Sequence, residues 1–299
     1  MRGGIRSAQG SENCMRWRTG TRSGNVDDRR GISAGKAGGI GGIGLVIVVV
    51  LALVMGIDPT QFITGSDLTG GSAVPQSQLS QTEQDLLADN ASLVLGDSEK
   101  TWSVIFEDQL GKTYVKPTLV LFTGGVDSAC GYASSAVGPF YCPGDQKVYL
   151  DLDFFYELKH NYGASGDFAQ AYVITHELGH HVQTLLGTSQ YVNTRSRQVS
   201  EADANKLSVA LELQADCYSG VWANRAQYQD LILEKGDVEE ALGAANAIGD
   251  DTLQKQAQGY VVPDSFTHGT SAERVQWFRK GLDSGQVSAC ESPLLPAVT

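Results

Sequence analysis

Apolar residues recur at helical spacing over most of this 299-residue chain, interrupted by two short runs of strand character. From Asp167 onward, Ala169, Ala171, Tyr172, Val173, Ile174, Leu178 and Val182 predict a largely buried helix that Gly187 can end in the left-handed conformation. Asp167 is placed to cap it, with Gln170 in a capping-box-like position. A second buried helix is predicted around Leu207, Val209, Ala210, Leu211, Leu213, Ala215, Tyr218, Val221 and Trp222. Upstream, Leu86, Leu87, Leu93 and Val94, then Trp102, Ile105 and Phe106, predict two helices broken near Gly96. Thr118 to Thr123 reads as a strand ended by Gly124-Gly125, and Lys147 to Asp151 as another. Short helices are expected over Asp153 to Tyr162 and Asp237 to Ile248. Thr270 and Glu273 form a capping box opening a helix with Val275, Trp277, Phe278 and Leu282. Strands followed by paired helices predict an α+β domain, mostly helical with a small sheet.

The first eighty residues differ. Ile40 to Ile57 holds no charge, and eighteen helical residues span about 27 Å, close to the hydrocarbon thickness of a bilayer. Residues 38–57 are therefore expected to form one transmembrane helix. A cleaved signal peptide is the competing reading; the long segment before it and the lack of a small-x-small site before Asp58 favour a retained anchor. Residues 1–37 are rich in Gly, Ser and Arg and are expected to be a disordered basic tail. Residues 58–78 read as a flexible linker, and 79–299 as the folded domain.

Charge sharpens this division. The net charge is −12, but residues 1–36 carry eight basic and three acidic side chains, a net +5 that leaves −17 on the rest. The positive-inside rule puts the tail in the cytoplasm and the acidic domain outside, on a single-pass membrane protein. Trp17 alone interleaves the basic residues with an aromatic, so no nucleic-acid partner is expected. Cys14 would then be a cytoplasmic thiol. Cys130, Cys142, Cys217 and Cys290 would face an oxidising compartment, with three possible pairings. Cys130–Cys142 closes a local loop bounded by Gly and Pro, and Cys217–Cys290 ties a helix to the C-terminus; these are the favoured pairs.

The candidate chemistry lies on the two buried helices. His176-Glu177-x-x-His180 places two imidazoles one turn apart on one helix face, where both can reach a metal ion, with Glu177 beside a metal-held water. Zinc needs a third protein ligand and an open position. Glu212 is the candidate ligand, and Asp216, four residues on, can accept the second N–H of His176. His181 is turned about 100° away around the helix and is not expected to bind the metal. His160 has no motif around it and is expected on the surface.

His176-Glu177-x-x-His180 followed by Glu212-x-x-x-Asp216 is the gluzincin pattern. Cys130-Gly131, Gly138 to Pro143, Val148 to Asp151, Gly166 to Tyr172 and His268-Gly269-x-Ser271-x-x-x-Arg274 complete a resemblance to the bacterial neutral zinc metallopeptidases, a membrane-anchored group. The resemblance covers roughly Trp102 to Gly281 and implies a zincin-like (gluzincin) domain that hydrolyses peptide bonds in a peptide or protein substrate. It implies one Zn²⁺ per chain held by His176, His180 and Glu212, with Glu177 as general base. In related zinc peptidases an edge strand beside the metal pairs with the substrate backbone; Lys147 to Asp151 is a candidate for that role or for a plain core strand. His268, in a Gly-flanked loop, and Arg274, one to two turns into the next helix, are candidates to stabilise the oxyanion. Their spacing matches that of related gluzincins. The alternative makes His268 a loop residue and Arg274 the partner of a nearby carboxylate; Tyr218 and Tyr260 are then the next donors. Two other functions fit the same residues: a catalytically silent zinc scaffold, and a cell-surface binding protein.

Overall fold

The structure, a computed structural model, describes residues 20–31, 77–228, 233 and 236–298. The expected span at 38–57 lies outside them, as do Cys14 and all but the last two residues of the expected linker. Among the described residues no helix is long and apolar enough to cross a membrane.

Four strands form the main sheet in the order β1-β2-β6-β5: β1 (Val26–Asp28), β2 (Thr118–Phe122), β6 (Lys147–Asp151) and β5 (Phe140–Cys142). β1 and β6 run parallel to β2, and β5 runs antiparallel to β6. A separate hairpin pairs β3 (Gly125–Ser128) with β4 (Gly131–Ser134). β2 is apolar at successive positions because both its faces are covered. Leu119 and Leu121 join Val148 and Leu150 in the helical core, while Val120 and Phe122 join Tyr149 in a smaller core with Val126 and Ala133 of the hairpin.

The helices are α1 (Gln81–Leu110), α2 (Asp153–His160), α3 (Asp167–Leu185), α4 (Thr188–Ser196), α5 (Glu201–Tyr228), α6 (Asp237–Ala247), α7 (Asp250–Gln258) and α8 (Ser271–Ser284). Mostly helical with a small sheet, the α+β expectation holds. The Thr270–Glu273 capping box opens α8, and a second, Ser80–Glu83, opens α1. Both favoured disulfides form: Cys130–Cys142 ties the hairpin to β5, and Cys217–Cys290 ties α5 to the C-terminal segment.

Four expectations need correction. α1 runs unbroken through Gly96. The glycine is there because a Cβ would lie 2.2 Å from the Thr21 carbonyl oxygen, so its hydrogen lets residues 20–31 approach the helix. Those residues, read as part of a disordered tail, form β1 and pack on the domain. Asp167 is the first residue of α3 rather than its cap; Gly166 holds the cap position at φ 121°, and Glu240 of α6 accepts from the Phe168 N–H instead. β6, offered as a substrate-pairing edge, is flanked by β2 and β5, so the outer edge beside the metal helix belongs to β5.

Candidate metal centre

α3 and α5 cross closely where the chemistry sits. A Cβ on Gly179 would stand 2.9 Å from the Ala215 carbonyl oxygen, so only glycine between the two motif halves lets the helices approach this far. That approach brings Glu212 between the imidazoles: its carboxylate oxygens lie 3.1 Å from His176 Nε2 and 3.4 Å from His180 Nε2. One ligand atom from each of the three residues falls within 4.8 Å of the others. Two imidazole nitrogens and one carboxylate are a zinc donor set with room for a fourth ligand. A second cluster, Asp167, Asp237 and Glu240, is all carboxylate, and its Glu240 already serves the α3 N-terminus.

Each imidazole is fixed by its other nitrogen. His176 Nδ1 is 2.8 Å from Asp216 Oδ1, leaving Nε2 for the metal. Asp216 is fully buried and also accepts from Tyr172 Oη at 2.5 Å and from Arg274 Nε at 2.8 Å. Burial opposes the charge of Asp216, but Arg274 and His176 outweigh it and hold the carboxyl down at about 2. Burial also opposes a proton on His176, yet Asp216 and Glu212 raise it to about 10. His180 Nδ1 instead meets the amide oxygen of Gln183 at 2.9 Å, and Gln183 donates to the Leu211 carbonyl at 2.6 Å. Against burial, the pull of Glu212 on both imidazoles places positive charge where a cation would sit.

The site opens into a cleft of about 880 Å³. Glu177 lines it beside both histidines, as do Phe140 and Tyr141 of β5. His268 reaches the cleft from the loop before α8. Its Nδ1 is 3.1 Å from Asp250 Oδ1, and Asp250 Oδ2 gathers the N–H groups of Thr267, His268 and Gly269. Arg274 also comes to the site, but its guanidinium is bound to Asp216, to the Ile248 carbonyl and to Tyr172 Oη. Asp216 is thus its carboxylate partner, and Arg274 also lines the cleft. Tyr218 is buried against Trp102 and Tyr260 is exposed, and neither lines the cleft. His160 is exposed and stacks on Tyr156, as expected of a surface residue.

His181 points away from the donors, as its position around the helix requires. Its Nε2 lies 2.6 Å from the Val115 carbonyl and so carries the proton; Nδ1 accepts from Tyr141 Oη at 3.1 Å. His181, next to His180, thereby ties α3 to the edge strand, a role missed in the sequence because Tyr141 is forty residues away. Gln183 was missed too, although its i, i+3 spacing from His180 is the local signal for it.

A family model described as "Putative neutral zinc metallopeptidase" matches residues 15–293. The chain belongs to this family. Among its relatives, "Uncharacterized protein YpfJ" of Escherichia coli K12 is 47% identical over 287 residues, covering 93% of this chain and 98% of that protein. "Uncharacterized protein Rv2575" of Mycobacterium tuberculosis H37Rv is 38% identical over 258 residues, covering 81% and 84%. No solved structure matches the chain. The family's name agrees with the donor set that α3 and α5 assemble.

Proposed function

We propose that this protein is a zinc endopeptidase of the gluzincin type, with His176, His180 and Glu212 as metal ligands and Glu177 as general base. The observation that carries the reading is the convergence of the three donors within 4.8 Å at a cleft that Glu177 also lines. A bound zinc would supply Lewis acidity to the attacking water and to the scissile carbonyl. Glu177 takes the proton of that water and returns it to the leaving amine. The substrate backbone lies along the outer edge of β5, the end strand of the sheet among the described residues, and extends the sheet by one strand. His268 donates from Nε2 to the developing oxyanion, with Asp250 holding its Nδ1. Asp250 and Glu212 raise the affinity of His268 for a proton despite its burial, which suits a donor. Arg274 acts through Asp216 as a positioning residue.

The reading is tested by peptide-library cleavage with zinc-loaded protein. Glu177→Gln is expected to keep zinc and lose cleavage, while His268→Ala keeps fold and zinc and lowers kcat by about 100-fold. A folded, zinc-loaded Glu177→Gln protein that cleaves at the unmodified rate would overturn it.

A further inference from the structure

Residues 20–31 form an arm for which the peptidase chemistry has no direct use. β1 pairs in register with β2, Val26 against Leu119, Asp27 against Val120 and Asp28 against Leu121. Backbone bonds extend the contact, from Ser23 N to Ser92 O at 3.0 Å and from Arg29 N to Leu121 O at 2.8 Å. Arg22 holds Asp89 with two bonds, of 2.7 and 2.6 Å. Glu99, buried on α1, accepts from Ser23 Oγ and Asn25 Nδ2, both at 2.7 Å. Gly96 leaves the space that the Thr21 carbonyl fills. The family match begins at residue 15 and so includes the arm.

Strands cannot pair through a bilayer. Residues 32–76 join the arm to the segment before α1, and their long uncharged apolar stretch is Ile40 to Ile57, eighteen residues. That suffices for one crossing, whereas a return would need about forty apolar residues. A single crossing would leave β1 and β2 on opposite faces of the membrane. We propose that the arm and the peptidase domain occupy the same side of the membrane.

The expected cytoplasmic N-terminus rested on the basic residues before the apolar stretch. Three of these, Arg22, Arg29 and Arg30, are ion-paired with Asp89, Asp27 and Asp28, which weakens their hold on the cytoplasmic side. The two disulfides favour an oxidising compartment for the domain, and the arm goes with it.

The test uses the full chain in bacterial membranes, with Cys14 replaced by Ser and single reporters introduced at exposed positions. Gly20→Cys reports on the arm and Glu201→Cys on the domain. A membrane-impermeant maleimide applied to spheroplasts is expected to label both reporters, or, if the domain is cytoplasmic, neither until permeabilisation. Labelling of Glu201→Cys before permeabilisation and of Gly20→Cys only after it would overturn the proposal. A second variant carries Ser23→Cys and Ser92→Cys with a protease site inserted between residues 66 and 71. After cutting, the N-terminal fragment is expected to stay attached until reductant is added; release without reductant contradicts the pairing.

Discussion

His176 and His180 are the same side chain on the same face of α3, yet the protein holds them by different means. Behind His176 stands a buried carboxylate that also binds Arg274 of α8 and Tyr172 of α3. Behind His180 stands a neutral amide that reaches to the α5 backbone. The first arrangement ties three helices through charge and cannot lose one member without stranding another in the interior. The second orients a ring at little electrostatic cost. Asp216 thus serves both the fold and the candidate metal site, while Gln183 chiefly orients His180.

Removing the charged support should produce the largest effect. Asp216→Ala leaves Arg274 buried without its carboxylate and is expected to destabilise the metal-free protein by about 3–5 kcal/mol in chemical denaturation. Asp216→Asn keeps the volume and is expected to weaken zinc binding about 10–100-fold in a competition titration. Gln183→Ala is expected at the lower end of that range, with a stability loss of about 1 kcal/mol for the neutral bonds removed. Equal losses in Gln183→Ala and Asp216→Asn would mean that charge is not what separates the two supports.

The pH dependence sharpens the same contrast. His176 is held above its ordinary value, to about 10, by Asp216 and Glu212 acting against burial. In metal-free protein the stabilisation from that proton is complete below about pH 6.5 and fades as pH rises toward about 10. Asp216, held down at about 2, contributes stability above about pH 3.9 that is lost as pH falls toward 2. Thermal unfolding with a chelator should therefore show a decline in Tm across the alkaline window, and Asp216→Asn should flatten it. Because zinc must displace the proton, its apparent affinity should rise with pH over the same window.

The convergence of His176, His180 and Glu212 as candidate metal ligands was legible in the sequence because its spacings are local: i, i+4 on α3 and i, i+4 on α5 each fix a helix face. The long-range condition, that the helices touch at Gly179, is seen only in the structure. The two disulfides were likewise legible, through compartment and loop chemistry. What could not be read depended on packing between distant segments. Gly96 looks like a helix break until the arm is seen lying against it. Residues 20–31 lack the apolar content of a core segment, and β1 is held largely by its backbone and by Arg22, Ser23 and Asn25. β5 has three residues, too few for a period, so the candidate edge was the longer β6, which was equally open to the role of a plain core strand. Arg274 was open to two roles, and its pairing with Asp216 depends on the approach of α5 and α8, which no local spacing shows.

The central claim is that His176, His180 and Glu212 form one metal site. It is tested most directly by the zinc content of purified, folded protein measured by plasma mass spectrometry. About one zinc per chain is expected in the unmodified protein and in Glu177→Gln, and almost none in Glu212→Ala. Full zinc retention by folded Glu212→Ala, or no zinc in the unmodified protein after loading, would contradict it.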